Sequence, residues 1–208
     1  ETVQFVLTFP VRVEEIEKAG VVCKEKEYEV QAACVDHLIP ALAYALVEKP
    51  RPGKFYPEKA KFLGVPEGPL WSKLQQGSVV EVPNRGTVKP EDVLGPPRPG
   101  RKIVYTGDTR PVKNLVEFAR NADLLIHETT FDDELFERAQ EEGHSTPSRA
   151  AETAKKAGVR WLVLTHISAR YKDTSLLLEQ AKKVFSRVDV AEDFMKIDLP
   201  LQDILSEK

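Results

Sequence analysis

Sulfur is scarce in this chain: among 208 residues there are two cysteines, Cys23 and Cys34, and one methionine. Two cysteines without a C-x-x-C spacing build neither a disulfide framework nor a zinc ribbon. They read as reduced, half-buried thiols, with a cross-strand pair as the alternative because GVVCKEK and YEVQAACV look like neighbouring strands. Long apolar runs are missing too. No stretch approaches the roughly 18 residues of a membrane span. The opening ETVQFVLTFPVRVEEIEK has no basic n-region, apolar h-region or small-residue cleavage site, so export is not expected. Nor does charge of one sign dominate, with 30 basic against 33 acidic side chains and a net charge of −3. That balance excludes a globally basic nucleic-acid binder and leaves room for a local basic patch. A hydrophobic share of 41% with 30% charged residues is that of a globular chain with one substantial core.

What is present reads as two regions joined by an excursion. From Ile103 onward short apolar runs alternate with amphipathic segments, the pattern of βα units. The runs are IVYT (103–106), LLI (124–126) and WLVLT (161–165), and DFMKIDLP is expected as a terminal strand. Between them PVKNLVEFARNA has helical spacing, and FDDELFERAQEEG reads as a short helix. TPSRAAETAKKAG carries Thr146 as cap, Pro147 in the first turn and Gly158 past the end, and Asp173 or Thr174 caps DTSLLLEQAKKVF. Residues 1–47 instead show period-two runs, FVLTF, VRVEEI, GVVCKEK and YEVQAACV, as hairpins do. Residues 48–100 hold most of the 15 prolines and read as an excursion with at most one short helix, at EKAKFLG. Leu63, Leu70, Trp71 and Leu74 are expected to pack there.

Only four histidines exist, and three of them, His37, His127 and His166, close apolar strand-like runs, while the run IVYT leads into Asp108. Ligand sites of open α/β sheets gather beyond the carboxyl ends of strands, so these endings converge on one crevice. Imidazole and carboxylate are the donors of a hydrolytic zinc site, with Asp108 as the natural bridge between two ions. Of the adjacent pair His127 and Glu128, only one side chain can face the crevice. His144, in GHST, precedes a helix N-terminus, an electropositive setting suited to a phosphate or leaving oxygen. The stretch 48–61 holds five basic residues against two acidic, a local charge of +3 that leaves −6 for the rest. With Phe55 and Tyr56 beside lysines, it has the composition of an RNA-backbone contact.

VDHLIPALAYALVEK, RPGKF, GVPEGPLWSKLQQG, YTGDTRP, LIHETTF, GHSTPSRAA and THISARY follow one another in the order seen in ribonuclease Z, the tRNA 3′-processing endonuclease. The chain resembles that family from about residue 10 to residue 200, most closely in the style of its archaeal members. The resemblance implies an α/β fold, the metallo-β-lactamase-type αββα sandwich, here incomplete. It implies residues 1–208 as the carboxyl-terminal portion of one such domain, with residues 48–77 inserted as the flexible arm, or exosite, that grips tRNA. His37, Asp108 and His166 correspond to zinc ligands, and Glu128 with His144 to the pair assisting the leaving oxygen. Lys49, Arg51, Gly53, Lys54 and Phe55 fall in the RNA-binding arm. The implied cofactor is zinc, two ions per subunit. The implied partners are precursor tRNA and a second copy in a homodimer, with no membrane and no DNA, in the cytoplasm. The family's H-x-H-x-D-H motif is absent, so each ion would keep His37 plus Asp108 or Asp108 plus His166 only. The chain is therefore expected to be part of a longer enzyme and inactive alone. A zinc hydrolase of small esters or thioesters, or a non-catalytic RNA-binding remnant, are the alternatives.

Overall fold

The computed structural model describes residues 9–201. The strands are β1 (Gly20–Lys24), β2 (Tyr28–Val35), β3 (Ala41–Glu48), β4 (Val80–Val82), β5 (Gly86–Val88), β6 (Lys102–Tyr105), β7 (Leu124–Glu128), β8 (Leu162–Thr165) and β9 (Val188–Val190). The helices are α1 (Pro57–Phe62), α2 (Pro69–Gln75), α3 (Pro90–Val93), α4 (Lys113–Phe118), α5 (Phe136–Glu142), α6 (Pro147–Ala157) and α7 (Ser175–Lys182). Seven strands form one sheet in the order β1-β2-β3-β6-β7-β8-β9, antiparallel from β1 to β6 and parallel from β6 to β9. Because β3 runs against both β2 and β6, β2 points the same way as β6, β7 and β8. All four therefore end at one edge.

Why the helices cover one face is visible in α6. Ala150, Ala151, Ala154 and Ala157 recur at helical spacing and are buried, so a short-side-chain stripe of high helix propensity lies close on Leu125, Leu162 and Leu164. Pro147 opens this helix, and Gly158 closes it at φ 66°. There the Gly158 N–H donates to Lys155 O and the Val159 N–H to Ala154 O, the pairing that ends a helix on a left-handed residue. The opposite face carries Tyr44, Leu46 and Tyr105, all exposed, with Tyr44 paired to Tyr105 and Leu46 to Ile103. Outside the excursion, the described residues thus form one sheet and one helical layer of an αββα sandwich.

Several expectations change. VRVEEI forms no strand, and FVLTF lies almost wholly outside the described residues. The terminal strand is β9, not DFMKIDLP, because the parallel partner of β8 is set by Leu162 facing Val188. Cys23 and Cys34 sit on neighbouring strands as free thiols, but both are exposed rather than half-buried. The excursion has more order than its prolines suggest: three helices and the β4–β5 hairpin enclose a second core of Ala60, Val65, Leu74, Val80, Val82, Val88 and Val93. Leu63, Leu70 and Trp71 pack against it as expected. The prolines punctuate that unit. Each of its three helices starts on one, where the missing N–H costs no helical hydrogen bond.

This second unit joins the sheet through a two-stranded neck, with bridges Arg51 to Arg98 and Phe55 to Leu94. Gly53 is the tightest point: a Cβ there would stand 1.9 Å from Gly95 O. Gly53→Ala should destabilise the second core by about 2 kcal/mol, the scale of backbone displacement by an extra methyl. Trp71 reports that core and Trp161 lies by the main sheet, so single-tryptophan variants read the two separately in denaturant. The Trp71 transition should move to lower denaturant while that of Trp161 stays; equal shifts would mean the two cores unfold as one.

Candidate active site

Four loops meet at the shared edge. The loop after β2 brings His37, that after β6 brings Asp108, β7 ends in Glu128, and β8 is followed at once by His166. His144 arrives from the other direction, on the link between α5 and α6. Two backbone positions make the turns. Gly107, at φ 61°, lets the chain leave β6 against Leu42 O, which a Cβ would approach to 3.0 Å. His166 itself sits at φ 53°, a left-handed conformation that costs a non-glycine residue about 1 kcal/mol and is commonest at functional sites.

Asp108, His144 and His166 offer ligand atoms that all lie within 4.8 Å of one another. His37 flanks them, its ring centroid 5.0 Å from that of His144, which in turn stacks on His166 at 5.4 Å. In each ring Nδ1 faces an oxygen: Gly143 O at 2.8 Å for His37, Glu128 Oε1 at 3.1 Å for His144, and Thr130 Oγ1 at 2.9 Å for His166. With Nδ1 engaged by the protein, Nε2 is the nitrogen left to a ligand in all three. Gly143 is required here, since a Cβ would come within 2.5 Å of His37 Nδ1.

Glu128 lies beneath this cluster, 1% exposed. Its Oε1 accepts from the N–H groups of Thr109 (3.0 Å) and Ser145 (2.9 Å), and its Oε2 from the Thr130 N–H (3.1 Å) and hydroxyl (2.9 Å). Burial pushes this carboxyl up to about 7 against the pull of those donors. His144 is shifted down, first by burial, with the charge of Asp108 opposing. A carboxyl near neutrality hydrogen-bonded to a neutral imidazole is an acid–base pair in working range.

His127 takes the other face of β7, completely buried. Its Nδ1 reaches Glu128 O at 2.7 Å, and burial lowers its pKa to about 4. The choice between the two neighbours is thus settled: Glu128 faces the crevice and His127 the interior. Of the residues expected in the arm, Lys54 is exposed. Lys49 Nζ is held by Glu25 O (2.7 Å) and Lys26 O (2.9 Å), Arg51 is half-buried in the neck, Gly53 is a backbone contact, and the Phe55 ring lies 5.2 Å from Trp71. Thr109, which beside Asp108 is placed in the sequence to orient that carboxylate, instead donates its hydroxyl to Arg110 O and accepts the Asp36 N–H, while sequence reasoning passed over Thr130, Ser145 and Arg110. Arg110 clasps the His37 loop, pairing with Asp36 at 3.0 Å while its Nε donates to Gln140 O at 2.5 Å. The small hydroxyl residues of HETT and GHST were the available signal.

Glu128 and His127 give opposite pH dependences. Glu128, raised in the fold, lowers stability as pH climbs from about 4.5 to about 7; His127, depressed, raises it from about 4 to about 6.5. Metal-free wild type should therefore be nearly flat between these limits. Glu128→Gln should gain on the order of 3 kcal/mol across that window as pH rises, and His127→Leu should lose as much. Urea midpoints at half-unit pH steps measure this; parallel curves for all three proteins would refute the opposition.

A family model described as beta-lactamase superfamily domain matches residues 82–167, the span that holds Asp108, Glu128, His144 and His166. Proteins named Ribonuclease Z from Methanosarcina acetivorans and Myxococcus xanthus are 54% and 53% identical over 88% and 95% of this chain, and 60% and 64% of their own lengths are covered. The chain spans about three fifths of the length of the curated relatives it matches. The crystal structure of the short form of human tRNase Z superposes with a TM-score of 0.54 at 29% identity, covering 89% of this chain and 48% of that one. The metallo-beta-lactamase fold protein YhfI from Bacillus subtilis gives the same TM-score at 19% identity over 87% of this chain and 52% of its own, a likeness of fold. Identity above one half along nearly the whole chain, on a sheet that superposes with both structures, gives the chain the metallo-β-lactamase fold and makes it similar, over about three fifths of their length, to proteins named Ribonuclease Z.

Proposed function

We propose that the family-length protein is a metal-dependent endoribonuclease that removes the 3′ trailer of precursor tRNA. The observation that carries this is the Glu128–His144 hydrogen bond placed against Asp108 and His166 at one sheet edge. The names of the relatives supply RNA as the substrate class, and that of the human structure, tRNase Z, supplies tRNA. One carboxylate and two or three imidazoles in a half-open crevice are the donor set of a hydrolytic zinc site, so the residues fit the metal. Asp108 and His166 are the side chains that would hold it, with His144 in the same cluster and His37 beside it, and two ions per subunit is the count we favour. Zinc there supplies Lewis-acid activation of water and of the phosphodiester.

The chain's own part is proton handling and orientation. His144, with Nδ1 on Glu128, holds Nε2 toward the crevice; protonated on both nitrogens, it gives the Nε2 proton to the departing 3′ oxygen and returns to the neutral ring, while the Glu128 carboxylate stabilises the imidazolium and holds its orientation. Three backbone N–H groups fix Glu128 in turn, so the pair needs no reorganisation during the reaction. The unit over 48–77 is the arm in this reading, its lysines Lys54, Lys59 and Lys61 lying along the RNA backbone, with the tRNA bridging two copies in a cytoplasmic homodimer. Trp71 and Tyr56 carry Lys61 and Lys59 at 5.7 and 4.8 Å from their ring centroids, which orients the ammonium groups.

In the family-length protein His144→Ala should lower turnover of a trailer-bearing precursor by roughly 100-fold or more, with zinc content unchanged by elemental analysis. Loss of zinc instead would make His144 a ligand. Replacing Lys54, Lys59 and Lys61 by alanine should weaken tRNA binding and reduce the slope of log K against log salt by about 1 for every phosphate that is no longer neutralised. Cleavage of a small phosphodiester should stay at the wild-type rate. A proportional loss on both substrates would assign the unit a purely structural role.

A further inference from the structure

We propose that Thr130 is a positioning residue that fixes the ring tautomer of His166. Its hydroxyl stands 2.9 Å from Glu128 Oε2 and 2.9 Å from His166 Nδ1. One hydroxyl has one proton, so the two contacts cannot both be donations from Thr130. The Glu128 carboxylate decides which. Three backbone N–H groups, of Thr109, Thr130 and Ser145, already point at its oxygens. A group so surrounded acts as acceptor, and Thr130 gives its proton to Oε2. The hydroxyl oxygen must then accept from His166, which places the imidazole proton on Nδ1 and leaves Nε2 bare toward the crevice.

Asp108 is the competing acceptor for that proton, but its Oδ1 lies 3.5 Å from Nδ1, beyond a good hydrogen bond. Thr130 is also well placed to impose its choice. It is 8% exposed, and its carbonyl accepts the Ser168 N–H at 3.2 Å, tying the loop after β7 to the loop after β8 on which His166 is held at φ 53°. A free imidazole in water prefers the opposite tautomer, with the proton on Nε2, which would turn a donor toward the crevice where the proposed function needs a lone pair. The inference rests on that function for its purpose, but its chemistry requires neither metal nor RNA.

Long-range proton–nitrogen correlation spectra of histidine rings, recorded on metal-free protein near pH 8, read the tautomer directly. Wild type is expected to show His166 protonated on Nδ1. Thr130→Val keeps the shape and removes the hydroxyl, and should bring His166 to the Nε2-protonated form; Thr130→Ser should restore the wild-type pattern, and Asp108→Asn should leave it in place. A wild-type His166 protonated on Nε2 would overturn the proposal at once, whatever the variants do. So would a Thr130→Val protein that keeps the wild-type tautomer, or an Asp108→Asn protein that loses it. Should Thr130→Val lose its folded spectrum, Thr130→Ala is read in its place. Cleavage of precursor tRNA is scored separately, so a nuclease without this tautomer and this tautomer without a nuclease are distinct results.

Discussion

Everything at the sheet edge leans on one buried carboxylate. Glu128 collects N–H groups from the loop after β6, from its own strand end and from the residue leading into α6, and so fastens three chain segments that are 19, 2 and 17 positions away in sequence. A buried carboxyl is costly unless its oxygens are satisfied, and here each satisfying donor belongs to a segment that adjoins a side chain of the Asp108–His144–His166 cluster. The Thr109 N–H adjoins Asp108, the Ser145 N–H adjoins His144, and the Thr130 hydroxyl meets His166. The same contacts that offset the burial of Glu128 thereby set the spacing of the cluster. Site and scaffold share one set of hydrogen bonds.

That coupling explains the division of labour on β7. Strand alternation sends Glu128 to the crevice and His127 into the interior, and the interior position forces the imidazole to stay neutral. Their opposed shifts come from one cause, the low polarity on both sides of a central strand. Elsewhere the scaffold is ordinary. Alanine-lined α6 seals one face, and the glycine at its end returns the chain to β8.

The proline-rich excursion is a different physical object from the sheet. It encloses its own apolar cluster, is fastened by a neck that closes only because Gly53 has no side chain, and carries lysines on aromatic rings at its surface. Dense proline in such a unit lowers the entropy of its unfolded state rather than signalling disorder.

How much of this the residues themselves declare varies with the range of the forces involved. The βα units from Ile103 onward, the caps at Thr146 and Gly158, and the placement of Asp108, Glu128 and His166 at strand ends follow from periodicity and local backbone chemistry, and these are encoded within a few residues of where they act. The sequence by itself therefore determined the α/β class, the edge at which the site would lie and the chemical types gathered there. Only the tertiary structure decided that β9 lies at 188–190, that the excursion has a core, that Lys49 is bound to a turn and that Glu128 rather than His127 faces the crevice. Each of those depends on which distant segment supplies a hydrogen bond or an apolar neighbour. Spacing along the chain carries no record of such pairings until the sheet brings the partners together.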